Sequence, residues 1–335
     1  MHLQVIHETR YDYAPPVEVA QHMAYLQPWN TASQQLLRHT LRVEPRPAQE
    51  TSALDVYGNR RTFISLQNPH AELRVVATST VLTKHRAMPE SMVAWEQVRE
   101  RFRYRADALY DPAAEFVFAS QHVPRHPEFA AYARPSFSAG TSLFEGARDL
   151  MHRIHRDFTY ESQSTQINTP ALVAMAQRKG VCQDFAHIML ACLRSIGLAA
   201  RYASGYLLTE PTPGTVRLVG SDASHAWVSV LLPDLPGGDR WCDFDPTNDR
   251  WGWGLPGEDY VLLALGRDYA DVSPIRGVIH GGANHQLTVA VTVTRLEAAK
   301  PAAPSPPLHS QSQVQGQGKS QSQSQNQSQS QSGAA

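Results

Sequence analysis

Long hydrophobic runs are missing from this chain. No segment of about 20 consecutive apolar residues occurs, so no membrane-spanning helix is expected. The opening Met1-His2-Leu3-Gln4 has no basic stretch leading into an apolar one and gives no sign of a secretory leader. An excess of one charge is also missing: 30 Lys and Arg stand against 31 Asp and Glu, and no basic cluster marks a nucleic-acid partner. Cysteine is scarce. Cys182, Cys192 and Cys242 are too few, and odd in number, for a disulfide framework, and the cytoplasm is their simplest compartment. Neither Cys-x-x-Cys nor His-Glu-x-x-His spacing occurs, and there is no acidic loop of the calcium-binding type, so neither metal nor cofactor is signalled. His122 and His126 lie four apart, but Pro124 breaks the helix that would align them.

What is present divides into four stretches. The 335 residues suggest two domains, or one large one with additions. Residues 1–85 read as short strands: Leu3–Thr9, Gln35–Val43, a Gly58-Asn59 hairpin turn leading into Thr62–Leu66, and Glu72–Val81. Strands at this spacing predict a small all-β sandwich or barrel. Residues 86–140, rich in Pro, His and aromatics, read as a connecting segment with short helices such as Pro112–Ser120 and Pro127–Tyr132. Residues 141–296 read as an α+β core, its last strand at Val289–Val293. Residues 297–335, reduced from Pro301 on mainly to Pro, Ser, Gln and Gly, are expected to form a disordered tail, because such a composition cannot repay the entropy of ordering.

The core is organised around Gly180-Val181-Cys182-Gln183-Asp184-Phe185-Ala186-His187. Upstream, Ser142 and Glu145 form a capping-box pattern before a stripe of Leu143, Phe144, Ala147, Leu150, Met151 and Ile154. Thr169-Pro170 opens a short helix that ends at Gly180. The next helix carries Cys182, Phe185, Ala186, Met189, Leu193 and Ile196 on its inward face and stops at Gly197. Cys182 therefore falls in a first turn, where free N–H groups and the helix dipole favour a thiolate. The period then changes to two, giving strands at Ala200–Leu208, Ala226–Leu232 and Trp241–Asp245. A hairpin through Pro233–Gly238 sets the start of the second beside the end of the third, so His225 and Asp245 should be neighbours. A Cys–His–Asp set follows if the Cys182 helix begins at that end. Asp243 shares a strand face with Asp245, and Asp222 is near His225, so the pattern alone leaves the carboxylate open. Asp184 and His187, three apart on the helix, are expected to pair with each other or with the backbone.

The motifs Gly-Val-Cys-Gln-Asp-Phe-Ala-His, Leu-Arg-Ser-Ile-Gly-Leu-Ala-Ala-Arg-Tyr-Ala-Ser-Gly-Tyr, Asp-Ala-Ser-His-Ala-Trp-Val and Phe-Asp-Pro-Thr-Asn, in this order, resemble the transglutaminase-like superfamily. The likeness is greatest to bacterial members with an N-terminal β domain, and Gly266–Val272 with Pro274 and Arg276-Gly277 is also similar to that group. The resemblance covers about residues 1–295. It implies a papain-like core with Cys182 as nucleophile, His225 as base and Asp245, over Asp243, as the orienting carboxylate. The expected chemistry is acyl transfer from a peptide or protein carboxamide, ending in crosslinking, deamidation or proteolysis. Tyr160 and Gln166 are the side-chain candidates for an oxyanion donor beside the Cys182 N–H. The alternative is a non-catalytic module that binds a peptide or partner in the same cleft.

Overall fold

The computed structural model describes residues 1–106, 109–161, 168–209, 224–282 and 284–296. In chain order come β1 (His2–Ala24), β2 (Gln34–Glu44), β3 (Gln49–Leu54), β4 (Arg60–Leu66) and β5 (His70–Thr83), then α1 (Trp95–Arg101), a 3-10 turn at Pro112–Val117, α2 (Pro127–Ala133) and α3 (Leu143–Asp157). There follow β6 (Thr159–Tyr160), α4 (Ala171–Gln177), β7 (Lys179–Gly180), α5 (Cys182–Ser195), β8 (Ala200–Leu207), β9 (Ser224–Leu231), β10 (Trp241–Asp245), β11 (Arg250–Trp253) and β12 (Tyr260–Gly266). The chain closes with α6 (Tyr269–Val272), β13 (Ile275–Gly281) and β14 (Asn284–Arg295). Among the described residues no helix is long and apolar enough to cross a membrane.

The first sheet has the order β2-β5-β1-β4-β3 and curls into an all-β half-barrel. Strand β1 is its spine. Leu3–Ala14 runs beside β14 and Val17–Ala24 beside β13. The sequence reading stops β1 at Thr9 and sets Val289–Val293 at the end of the core. Instead the strand continues through Pro15-Pro16, where its pairing with β5 is interrupted between Asp12 and Val17, so the missing proline N–H groups cost no ladder bond there. The last strand, β14, returns to β1. It alternates in burial where it covers the half-barrel, with Val291 and Val293 inside.

The second sheet, β11-β10-β9-β8-β12, carries the core. The expected hairpin joins β9 to β10, with Trp241 opposite Leu231 and Phe244 opposite Val228. Helix α5 packs on β8 and β9, and is flanked by α2, α3 and α4. Phe185, Ile188, Met189 and Leu193 meet Leu150 and Met151 of α3 and Val228 and Val230 of β9 in one buried cluster. Helix α3 begins as its pattern predicts: Ser142 Oγ accepts from the Glu145 N–H at 3.2 Å.

The two sheets meet through Leu3, Val5, Val81, Val291 and Val293 on one side and Tyr206, Val261 and Leu263 on the other. Two buried amides finish the outer edge of β12 as a further strand would. Gln34 accepts from the Leu262 N–H at 2.7 Å and donates to its carbonyl at 2.9 Å. Asn59, just after the hairpin turn at Gly58, does the same for Leu265 at 2.8 and 2.7 Å. Backbone groups that would otherwise be buried bare are thereby satisfied.

Candidate active site

The site is built at one end of the second sheet. Gly180 and Val181 lead into α5 with Val181 extended, and the Asp184 carboxylate accepts the Val181 N–H at 2.9 Å. A side chain at Gly180 would stand 2.7 Å from Asp184 Cβ and Oδ2, which explains glycine there. Cys182 is half-buried at the start of a helix whose following turns are almost wholly buried, while Cys192 and Cys242 lie in the core. Burial pushes both core thiols far above their ordinary range. His187, buried in α5, accepts the Tyr269 N–H at 3.2 Å and stacks on His122. Thus His122 serves packing, and His187 is held by α6 rather than only by its own helix.

His225 stands at the start of β9, 9% exposed, and Asp245 at the end of β10, fully buried. Their separation from His225 Nε2 to Asp245 Oδ2 is 2.7 Å. That bond leaves Nδ1 open, and Cys182 is near enough to act on the charge of the ring. Burial alone would pull the His225 pKa down, but the Asp245 carboxylate and then Cys182 outweigh it and raise the value to about 10. Burial likewise opposes the charge of Asp245, yet hydrogen bonds from His225, Tyr260 and Asn248 hold its pKa below the usual carboxylate range. Asp243, the alternative carboxylate, instead accepts from Trp227 Nε1 at 2.9 Å. Asp222 and Gln166 lie outside the described residues.

Two supporting residues escaped the sequence reading. Tyr260 donates its hydroxyl to Asp245 Oδ2 at 2.6 Å, and Asn248 Nδ2 reaches the same oxygen at 2.7 Å. The Thr247 N–H fills the other oxygen at 2.9 Å. Asn248 was in view within Phe-Asp-Pro-Thr-Asn without a role; Tyr260 opens β12, a strand the periodicity did not reveal. Helix α3 steadies this loop: His152 bonds Asp249 Oδ2 at 2.9 Å and His155 the Thr247 carbonyl at 3.0 Å. Behind the imidazole, Trp227 and Tyr260 have ring centroids 6.2 and 5.8 Å away. Gly205, paired with His225 across the ladder, leaves the space Trp227 fills, since a Cβ there would come within 2.6 Å of that ring.

On the other side of Cys182, β6 pairs in parallel with β7, which sets Tyr160 opposite Gly180. Tyr160 is 54% exposed, and burial, followed by the nearby Cys182 charge, raises its pKa. Among the described residues no cluster of three or more His, Cys, Asp or Glu is placed to hold a metal ion.

Comparison with known proteins agrees with this architecture. Residues 3–82 match the bacterial transglutaminase-like N-terminal region, and residues 130–246 match the transglutaminase-like superfamily. An uncharacterized protein of Mycobacterium tuberculosis is 38% identical over 301 residues, covering 88% of this chain and 93% of the relative. One from Mycobacterium leprae is 31% identical over 301 residues, covering 88% and 99%. The crystal structure of a "putative cysteine protease" from Cytophaga hutchinsonii superposes with a TM-score of 0.67 at 22% identity, covering 89% of this chain and 91% of that one, a likeness of fold. With both regions matched in order and relatives aligned almost end to end, the chain belongs to the transglutaminase-like superfamily, in its bacterial form with an N-terminal β region.

Proposed function

We propose that the protein is a cysteine-nucleophile enzyme that transfers an acyl group from a carboxamide of a peptide or protein, through a thioester on Cys182. The observation that carries this reading is the 2.7 Å bond between His225 Nε2 and Asp245 Oδ2, which leaves Nδ1 to act as the base. A hydrogen-bonded histidine needs no second partner for stability, whereas a base must offer its free nitrogen to the nucleophile.

In this mechanism His225 takes the Cys182 proton and the sulfur attacks the carbonyl carbon. The carbonyl oxygen becomes an oxyanion, met by the Cys182 N–H at the helix start and by the Tyr160 hydroxyl. Collapse breaks the C–N bond as His225 returns its proton to the departing ammonia or amine. Water or an amine then attacks the thioester, giving His225 its proton, and the thiol is regenerated. Asp245 stabilises the imidazolium throughout and fixes the ring. Water as acceptor gives deamidation or peptide cleavage; an amine gives a crosslink.

The test is direct trapping. The protein is incubated with glutamine-containing peptides and a labelled primary amine, and Cys182 is followed by mass spectrometry. An acyl adduct on Cys182 and turnover lost in Cys182→Ala are expected. Iodoacetamide should label Cys182 ahead of Cys192 and Cys242. Full activity in Cys182→Ala would sink the reading, and binding of peptides without any adduct or turnover would favour a binding module instead.

A further inference from the structure

A cavity of about 750 Å³ opens at the end of the second sheet opposite the His225–Asp245 pair. It is walled by Leu231 at the end of β9, Trp241 at the start of β10 and Arg201 near the start of β8. Tyr57 of the β3–β4 turn and Phe116 of the 3-10 turn complete its aromatic side. Their rings are 5.5 Å apart, and Phe116 meets Trp241 edge-on at 5.6 Å. Leu231 is six strand positions from His225, roughly 20 Å at a rise of about 3.3 Å each. A ligand here does not touch the thiol.

Arg201 gives the cavity its chemistry. The guanidinium lies over the Trp241 ring, 4.1 Å from its centroid, and Nε donates to Ser229 Oγ at 3.3 Å. Among the described residues, no hydrogen bond or ion pair engages its two terminal nitrogens. Burial opposes its charge and lowers its pKa to about 10, and Asp243 and Asp239 only partly offset this. Each is already held, Asp243 by Trp227 and Asp239 by Arg86. A desolvated planar fork with two open arms, at the wall of a cavity of ligand size, matches a carboxylate.

The surroundings narrow the class. Arg101 is paired with Asp111 at 2.8 Å, and Glu115 with Arg267 at 3.8 Å. Arg240 also lines the wall, so three arginines stand against Asp111 and Glu115, and the net single positive charge matches a monoanion better than a dianion such as a phosphate ester. The start of the 3-10 turn offers no free donor in compensation, because Asp111 already accepts the Ala113 N–H at 3.0 Å. We propose that this cavity binds a monocarboxylate carried on an aromatic or large apolar body, with Arg201 holding the carboxylate and Tyr57, Phe116 and Trp241 enclosing the body. The ligand is a free aromatic acid or the C-terminal residue of a peptide, which share this chemistry.

Calorimetry on the full chain, repeated in Cys182→Ala so that turnover plays no part, tests the assignment. The probes are phenylacetate, phenylacetamide, and a phenylalanine-ending tetrapeptide as its free acid and its amide. At least one acid should bind saturably, and its amide about tenfold or more weaker, as expected for losing a charge-assisted bond. Whichever acid is tighter identifies the source. Arg201→Gln should erase the preference for acid over amide. In the unaltered protein, where folding is not in question, the acid should shift the Trp241 indole N–H resonance. Equal binding of acid and amide, no saturation by about 10 mM, or shifts confined to the Cys182 end would overturn the proposal.

Discussion

Replacing Tyr260 by Phe removes one hydroxyl and little else, and its consequence can be worked out beforehand. The hydroxyl donates to Asp245 Oδ2 at 2.6 Å inside a fully buried pocket. A hydrogen bond to a charged group contributes about 1.5–3 kcal/mol. His225 and Asn248 remain on the same oxygen, each at 2.7 Å, so the low end applies, about 1.5 kcal/mol. That equals roughly one pH unit. The sign follows from the state being stabilised. The lost bond favoured ionised Asp245, so its depressed pKa moves back up, and the carboxylate is neutralised at higher pH as acid is added. The imidazolium then loses its counter-charge sooner. The rate of Cys182 alkylation by iodoacetamide, followed against pH, should show its acid limb about one pH unit higher in Tyr260→Phe than in the parent protein. A residue with only a packing role would lower the melting temperature and leave this profile in place. Superimposable profiles would refute the positioning of Asp245 by Tyr260.

Other perturbations separate the site from its scaffold. Asn59→Ala strips both partners from Leu265, at about 1–3 kcal/mol for each bare group; urea unfolding should detect the loss while Cys182 alkylation stays as before, and a midpoint shift near zero would contradict the edge-pairing role. His7, buried between Tyr206 and Thr9, has its pKa lowered by burial to about 4. The unfolded chain therefore takes up this proton first, so His7 favours folding fully above pH 6.5, and the benefit drains away as pH falls toward 4, about 3 kcal/mol in all. Urea midpoints across that window should fall less steeply in His7→Gln; equal slopes would show that the ring does not govern acid stability. Gly180→Ala forces Asp184 from the Val181 N–H, and overpacking of this kind costs about 1–3 kcal/mol. Slower Cys182 alkylation at unchanged pH is expected, and an unaltered rate would mean that the first turn tolerates the shift.

The parts of the fold that were legible are those with local causes. Ser142 and Glu145 announce α3 because a cap is a contact within one turn. His225 and Asp245 could be paired because a short hairpin fixes which strand ends meet. Tyr260 is different. Its strand is buried throughout, so the run from Tyr260 to Gly266 lacks the alternation that marks a strand, and its neighbour is β8, more than fifty residues earlier. Likewise β1 runs far beyond Thr9, through Pro15 and Pro16, which oppose strand pairing in general and are tolerated only because of a local gap in the ladder. Of the two side-chain oxyanion candidates, only Tyr160 lies among the described residues, and the β6–β7 pair brings it beside Cys182.

That β13 and β14 both bond to β1 has a practical meaning for anyone dividing this protein. Topologically the transglutaminase-like core is a guest threaded into a host sheet whose own strands precede and follow it in the chain. One cut after residue 85 would deprive the host of two neighbours of its spine and leave the guest trailing two orphaned strands. Separate expression of the host would require grafting 275–295 directly onto 1–85, as in a loop deletion.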